Sequence, residues 1–135
     1  MRDAKDTLDD LDQLLQDLRE RPANSTLLVE GKKDRAALWV LGVEGDVMQI
    51  QNGKRIIEIA EDLAKEGREA IILTDWDRKG GQLCRLLKQA LRACAVPYDD
   101  TKRAKLVRLS KKEIKDVESL PSFMSRLVSE AQKVR

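Results

Sequence analysis

The sequence predicts an α/β protein in which a short, mainly parallel four-stranded sheet lies between two layers of helices. Short apolar runs that suit buried strands alternate with longer segments whose apolar residues recur at helical spacing. Two of these runs end on carboxylates followed by glycine, at Glu30 and at Asp75. Strands that alternate with helices form a parallel sheet with right-handed crossovers and helices on both faces. The predicted architecture is therefore a three-layer α/β/α fold.

Length and composition limit the function classes. At 135 residues, we expect one domain, residues 1–135, around a single core. The 26 basic and 24 acidic residues give a net charge of +2, so contact with a polyanion needs a local basic patch. Aromatic residues are 3% of the chain, which leaves little for base stacking. The chain has no histidine, which excludes the usual zinc sets and imidazole acid–base chemistry.

The sequence also bears on the cellular compartment. It has no apolar run long enough to cross a membrane, and its acidic amino terminus does not resemble an export signal. We therefore expect a cytoplasmic protein with no membrane contact. Cys84 and Cys94 fall in one predicted helix, about 15 Å apart along its axis, too far for a disulfide within that helix. Both are expected to be buried, reduced thiols.

The first elements are a helix, a strand and a second helix. Residues 1–22 are an amphipathic helix that ends near Pro22, and its acidic outer side is expected to be solvated surface. A first strand at 26–29 stops at Glu30. The helix that follows ends at Gly42, because glycine is a common helix terminator.

Two further strands follow, each before a helix. The second strand, 47–50, leads into a turn at 51–53, and a helix then runs to Gly67. The third strand, 70–73, is apolar at every position, which is typical of a central parallel strand.

The last third of the chain is predicted from weaker patterns. An amphipathic helix over 83–94 ends before Pro97. The polar segment 98–105 is expected to be a surface loop, and 106–109 a fourth strand at the edge of the sheet. A helix over 117–135 closes the chain.

Acidic side chains gather at one edge of this predicted sheet. Asp75 and Asp77 lie two residues apart, so they project the same way from a strand and repel each other unless a cation neutralises them. In the strand order 2-1-3-4, ligands bind at the carboxyl edge between the first and third strands. Glu30 ends the first strand, and Asn52 with Gly53 follow the second. This predicts a metal site. The alternative is that Asp75 caps a turn and Asp77 caps the next helix.

These two acidic segments resemble the Toprim domain, the catalytic module shared by bacterial-type primases, topoisomerases, overcoming-lysogenisation nucleases and recombination proteins. The family pattern is a strand ending in Glu-Gly, here Glu30-Gly31, and a later strand ending in Asp-x-Asp before glycine, here residues 75–80. One helix, strand and helix separate the two segments, as in the family. The resemblance covers residues 26–110, and it implies a Rossmann-like Toprim core over that range. In size, the chain resembles the small stand-alone Toprim proteins of archaea and some bacteria.

The resemblance implies roles for the acids. Glu30 matches a general acid/base or metal-facing glutamate, and Asp75 and Asp77 match magnesium-binding aspartates. Carboxylate oxygens without nitrogen or sulfur ligands suit Mg²⁺, in one or two ions, with Mn²⁺ as a substitute. The implied function is Mg²⁺-dependent action on nucleic-acid phosphodiesters, RNA or DNA, by nuclease-like hydrolysis or phosphoryl transfer. The alternative is a non-catalytic, metal-dependent nucleic-acid-binding module that works with a partner protein.

Basic residues flank the acids on both sides in the sequence. They are expected to hold phosphates together with Asn52 and Gly53, or else to be ordinary solvated surface. They are Lys32, Lys33, Arg35, Arg78 and Lys79. Asp116 is either an outer-shell group of the metal site or, with Glu118, a cap for the last helix. Trp76, between the two aspartates, is expected to pack on the opposite side of the strand.

Some activities of larger Toprim proteins do not fit this chain. A topoisomerase needs a tyrosine nucleophile, and the only tyrosine, Tyr98, falls in the predicted loop. A primase needs template-handling parts for which 135 residues leave no room. Receiver domains and haloacid phosphatases place their acids after the first strand, whereas Asp-x-Asp follows the third strand here.

Overall fold

The computed structural model describes residues 3–133. Strands and helices alternate through most of this range. The strands are β1 (Ser25–Val29), β2 (Val47–Gln49), β3 (Glu69–Ile72) and β4 (Tyr98–Asp99). The helices are α1 (Ala4–Arg19), α2 (Lys32–Val40), α3 (Ile56–Lys65), α4 (Arg78–Ala93), α5 (Thr101–Ser110) and α6 (Leu120–Lys133).

The four strands form one parallel sheet in the order β2-β1-β3-β4. The predicted order 2-1-3-4 and the three-layer α/β/α architecture are confirmed. The order reverses between β1 and β3, where the register pairs Leu28 with Ile72. The carboxyl ends of these two strands therefore meet at the middle of one sheet edge.

The sheet separates two apolar clusters. Alternate residues of β1 serve opposite faces: Leu27 and Val29 pack with the leucines of α1 and with α6, whereas Leu28 packs with α3 and α4. All five residues of β1 are buried. A strand covered on both faces favours apolar residues at consecutive positions, which explains the apolar run 27–29.

The predicted fourth strand is wrong. Residues 106–109 lie within α5, and the segment predicted as a surface loop contains β4, which pairs Tyr98 with Ala70. The buried residues of α5, Leu106 and Ser110, are four positions apart, which is helical spacing. The side chain of Asp99 accepts hydrogen bonds from the backbone N–H and hydroxyl of Thr101 and so favours the start of a helix there.

Other expectations differ in detail. Cys84 is buried and Cys94, just past the end of α4, is only partly buried; both are free thiols. The predicted terminal helices at 1–22 and 117–135 include residues 1–2 and 134–135, which lie outside the described range. None of the helices within residues 3–133 has the length and apolar character needed to cross a membrane.

Candidate metal and phosphate site

Glu30 and Asp75 lie together at the reversal point of the sheet. Glu30 follows β1 directly, and Asp75 comes three residues after β3. The backbone N–H of Asp75 donates a hydrogen bond of 2.8 Å to Glu30 Oε2. The Glu30 side chain is buried, with 5% of the residue exposed. This contact joins two acidic residues that are 45 positions apart in the sequence.

The Asp75 carboxylate is held in an acidic, half-buried environment. Its Oδ1 accepts a hydrogen bond of 3.0 Å from the backbone N–H of Val117. Burial raises the pKa of Asp75 to about 7, and the nearby Asp34, Glu30 and Asp116 add to this, against the opposing effect of the Val117 hydrogen bond. The environment therefore opposes the negative charge of Asp75 unless a cation is close.

Arg103 fixes the backbone beside these acids. Its Nε donates to the carbonyl of Thr74 at 2.9 Å, and its Nη2 donates to the carbonyl of Asp75 at 2.8 Å. Both carbonyls follow the end of β3, where the chain leaves the sheet. Because α5 was predicted as a loop and an edge strand, the sequence did not indicate this contact. The sequence does show a dense basic run, with seven Lys or Arg against one acid between residues 101 and 115.

Asp34 is a second residue that the predicted site did not include. It is buried, and its two oxygens accept from the backbone N–H of Gly31 at 3.0 Å and of Glu118 at 3.2 Å. Burial raises the pKa of Asp34. The Gly31 contact is the local half of a capping arrangement, and an acid three residues after the N-cap is a usable sequence signal for it. The Glu118 contact is long-range and ties α2 to the segment before α6.

Asp77 lies at the first turn of α4. It is exposed, and its Oδ1 accepts a hydrogen bond of 2.7 Å from the backbone N–H of Gly80, which makes it the N-cap. This is the capping role that the sequence left open as the alternative. Among residues 3–133, no group of three or more Asp, Glu, His or Cys side chains is arranged to hold an ion. A share of Asp77 in a metal site stays a prediction.

The glycines near these acids differ in whether there is room for a Cβ atom at their positions. A Cβ on Gly80 would lie 1.8 Å from the carbonyl oxygen of Asp75, whereas one on Gly81 would meet nothing within 4 Å. A Cβ on Gly31 would lie 3.0 Å from Oε1 of the Gln51 side chain, which can move. Gly80 alone of these three is needed for the close approach of α4 to the backbone of Asp75.

The predicted phosphate-binding residues lie at helix starts and in one turn. Each of the five basic residues is exposed, in the first turn of α2 (Lys32, Lys33, Arg35) or of α4 (Arg78, Lys79). Asn52 and Gly53 are exposed too, and Asn52 Oδ1 accepts from the backbone N–H of Lys54. The neighbouring Gln51 N–H donates to the carbonyl of Glu30 at 3.1 Å. That hydrogen bond places the 51–53 turn beside the end of β1.

Two remaining predictions concern the segment around α6 and Trp76. Trp76 packs against the core, as predicted, and its Nε1 donates to the carbonyl of Ile114 at 2.8 Å. Asp116 Oδ1 accepts from the backbone N–H of Ser119 at 2.9 Å, one residue before α6 begins. Asp116 thus helps to shape the start of α6 while its charge acts on Asp75. Both roles proposed for Asp116 from the sequence remain compatible with its position.

The fold and this acidic edge define the class of protein: the chain belongs to the Toprim family. The Toprim domain model matches residues 10–109. The resemblance inferred from the sequence is confirmed. Membership in this family indicates a metal-dependent function related to nucleic acids.

Particular relatives are small proteins of similar length. A UPF0292 protein of Methanosarcina barkeri is 36% identical over 121 residues, which cover 89% of this chain and 84% of that protein. A UPF0292 protein of Thermococcus sibiricus is 38% identical over 119 residues, 88% of this chain and 91% of the relative. Among solved structures, a putative protein from Aquifex aeolicus is similar, with a TM-score of 0.70 and 26% identity over 81% of this chain and 96% of that one.

Proposed function

We propose that this protein is a Mg²⁺-dependent Toprim enzyme that acts on nucleic-acid phosphodiesters by hydrolysis or phosphoryl transfer. The observation that best supports this is the hydrogen bond from the Asp75 backbone to the Glu30 carboxylate, 2.8 Å long. It brings the two acidic segments of the family pattern to one point of the sheet edge. Ligands of open parallel sheets bind at such a reversal point.

The residues present fit a hard divalent cation. The charges of Glu30, Asp34 and Asp116 all act on Asp75, and that of Asp116 acts on Asp34 as well. These carboxylates offer oxygen ligands only, which is the donor set that Mg²⁺ and Mn²⁺ prefer. Glu30 and Asp75 would hold the ion, and Asp77 would contribute the oxygen that does not cap α4. A bound ion would orient a phosphodiester and stabilise the charge that develops during phosphoryl transfer.

The basic residues around the acids would bind the substrate backbone. The first turns of α2 and α4 present exposed Lys and Arg side chains at the same sheet edge as Glu30 and Asp75. Phosphate contacts of this kind position a nucleic acid without selecting its sequence. Arg103, which holds the carbonyls of Thr74 and Asp75, would keep the Asp75 backbone in place during the reaction.

A cleavage screen tests this proposal. Labelled single-stranded, duplex and hairpin RNAs and DNAs are incubated with the protein in Mg²⁺, in Mn²⁺ and in EDTA. We expect cleavage that needs the divalent ion and is lost in Glu30→Gln and in Asp75→Asn. Glu61→Gln, which changes an exposed acid on α3, is the matched control. Cleavage that survives in both site variants would come from another source and would contradict the proposal.

A second candidate is a metal-dependent nucleic-acid-binding module that needs a partner protein for chemistry. The capping role of Asp77 favours it, because one carboxylate oxygen accepts from the N–H of Gly80 and only the other is left for an ion. Affinity that rises with Mg²⁺ without product formation would support this module over the enzyme. The same site variants would then lose the Mg²⁺-dependent part of the affinity.

A further inference from the structure

The outer side of α2 combines an exposed tryptophan with positive charge. Trp39 and Val40 are each 66% exposed, the most exposed large apolar residues in the described part of the chain. Tryptophan is highly buried on average, so a tryptophan this exposed calls for a partner. Neither the metal site nor the core accounts for it.

Helical geometry places Trp39 in line with the basic residues of α2. We call the α2 face the surface formed by Lys32, Arg35, Ala36, Trp39 and Val40, which are all exposed. These positions follow the spacing of one side of a helix. The opposite side is formed by buried Asp34, Ala37 and Leu38.

The α2 face begins at the candidate site. Gly31 is the N-cap of α2 and follows Glu30 directly. Trp39 lies about 12 Å further along the helix axis, by the standard rise per residue. That distance equals about three or four stacked nucleotides. A nucleic-acid strand that reaches Glu30 and Asp75 can therefore extend along α2 to Trp39.

The charge of this surface selects a polyanion. The exposed charged residues of α2 are Lys32, Lys33 and Arg35, whereas its acid, Asp34, is buried and hydrogen-bonded. At the other end, Arg19 donates two hydrogen bonds to the carbonyl of Leu41 and adds positive charge there. The whole protein has a net charge of only +2, so this positively charged surface is a local patch. Such a patch is complementary to phosphates. Aromatic side chains beside such charge stack on unpaired bases, which a duplex does not offer.

We propose that the α2 face binds a single-stranded segment of nucleic acid, with Lys32 and Arg35 on phosphates and Trp39 stacked on an unpaired base. This deepens the proposed function by naming the substrate form, and it rests on that function for the kind of ligand. It also revises the expectation from composition that few aromatic residues leave little for base stacking. One exposed tryptophan suffices for a stacking contact.

Binding of oligonucleotides in EDTA tests the proposal without the metal. The probes are fluorescein-labelled oligo(dT) and oligo(U) of about twelve nucleotides, and a blunt duplex of the same length, titrated by fluorescence anisotropy. For Trp39→Leu we expect a loss of single-strand affinity on the order of 10-fold, with duplex affinity unchanged. Trp39→Phe should keep most of the affinity. Leu86→Ala, at a residue 46% exposed on α4, is the control.

Salt dependence separates stacking from charge. Lys32→Gln should lower the slope of log affinity against log salt by about 0.7, whereas Trp39→Leu should lower the affinity equally at every salt concentration. Intrinsic tryptophan fluorescence should be quenched by oligo(dT) in the wild type and much less in Trp39→Phe.

Three results would overturn the proposal. They are single-strand binding by Trp39→Leu equal to that of the wild type, an equal loss on the duplex, or wild-type self-association in ultracentrifugation that Trp39→Leu abolishes. The outcome is independent of metal binding, because the affinities are measured in EDTA without a divalent ion. Binding that depends on Trp39, without cleavage that depends on a divalent ion, would contradict the proposed enzymatic function. It would still support the proposal that the α2 face binds single strands.

Discussion

Replacing Asp75 by asparagine should stabilise the metal-free protein at neutral and alkaline pH. The Asp75 carboxyl is half-buried, and burial together with Asp34, Glu30 and Asp116 raises its pKa from 3.8 to about 7. Asparagine has nearly the same shape, and its amide oxygen can still accept the N–H of Val117. The substitution therefore removes the charge and keeps the contact.

The expected gain follows from the size of the pKa shift. A rise of roughly 3 units corresponds to about 4 kcal/mol. Because about half of the carboxyl still meets solvent, screening reduces this to about 1–2 kcal/mol. In a domain of this length, the melting temperature should rise by about 4–8 °C.

The raised pKa of Asp75 determines how the stability of the wild type changes with pH. Below about pH 4, Asp75 is protonated in both the folded and the unfolded state, so the wild type bears no cost. As the pH rises toward 7, the unfolded state loses the proton before the folded state does, and the free energy of unfolding of the wild type falls. Above about pH 7 the full cost is present, and the advantage of Asp75→Asn is greatest.

Thermal unfolding followed by circular dichroism in EDTA, at about pH 5 and about pH 8, measures this effect. Glu61→Gln serves as the control for removing an exposed acid. The melting-temperature difference between Asp75→Asn and the wild type should widen from the lower to the higher pH. A difference that is absent, reversed or independent of pH would refute the account of Asp75 as an uncompensated, half-buried charge.

Two further variants test how the site is held. Gly80→Ala should destabilise the protein by about 1–3 kcal/mol, because the added Cβ would overlap the carbonyl of Asp75. The control Gly81→Ala should be neutral or stabilising by up to about 1 kcal/mol. Equal urea midpoints for the two variants would contradict the close approach of α4 to the Asp75 backbone. Arg103→Leu should cost about 1–3 kcal/mol in urea unfolding, because it leaves the carbonyls of Thr74 and Asp75 without these donors, and it should weaken Mn²⁺ binding. If Arg103→Leu binds Mn²⁺ as tightly as the exposed-residue control Arg108→Leu does, Arg103 does not position the site.

Much of the fold could be predicted from the sequence because the central strands have a strong local pattern. β1 and β3 are covered on both faces, so each contains a run of consecutive apolar residues, 27–29 and 70–72, and the strand order then places Glu30 beside the end of β3. β4 has only two residues and lies in a polar segment. Such a short edge strand leaves no periodic pattern to recognise. The fourth strand was therefore predicted at 106–109, which lie within α5.

Only part of the site could be predicted from the sequence, and the reason is related. The proximity of Glu30 to Asp75 follows from topology alone. The contacts of Asp34 with Glu118, of Asp75 with Val117 and of Arg103 with Thr74 join segments that are far apart in the sequence. No local pattern encodes these contacts, because they depend on how α5 and the segment before α6 pack against the sheet edge.

Divalent-ion binding tests the central claim most directly. Mn²⁺ is titrated at about pH 8 and followed by electron paramagnetic resonance, for the wild type, Glu30→Gln, Asp75→Asn and the control Glu61→Gln. We expect the wild type and the control to bind Mn²⁺ in competition with Mg²⁺, and each site variant to bind at least about 10-fold more weakly. Equal Mn²⁺ affinity in all four proteins would contradict the claim that Glu30 and Asp75 together hold a divalent ion.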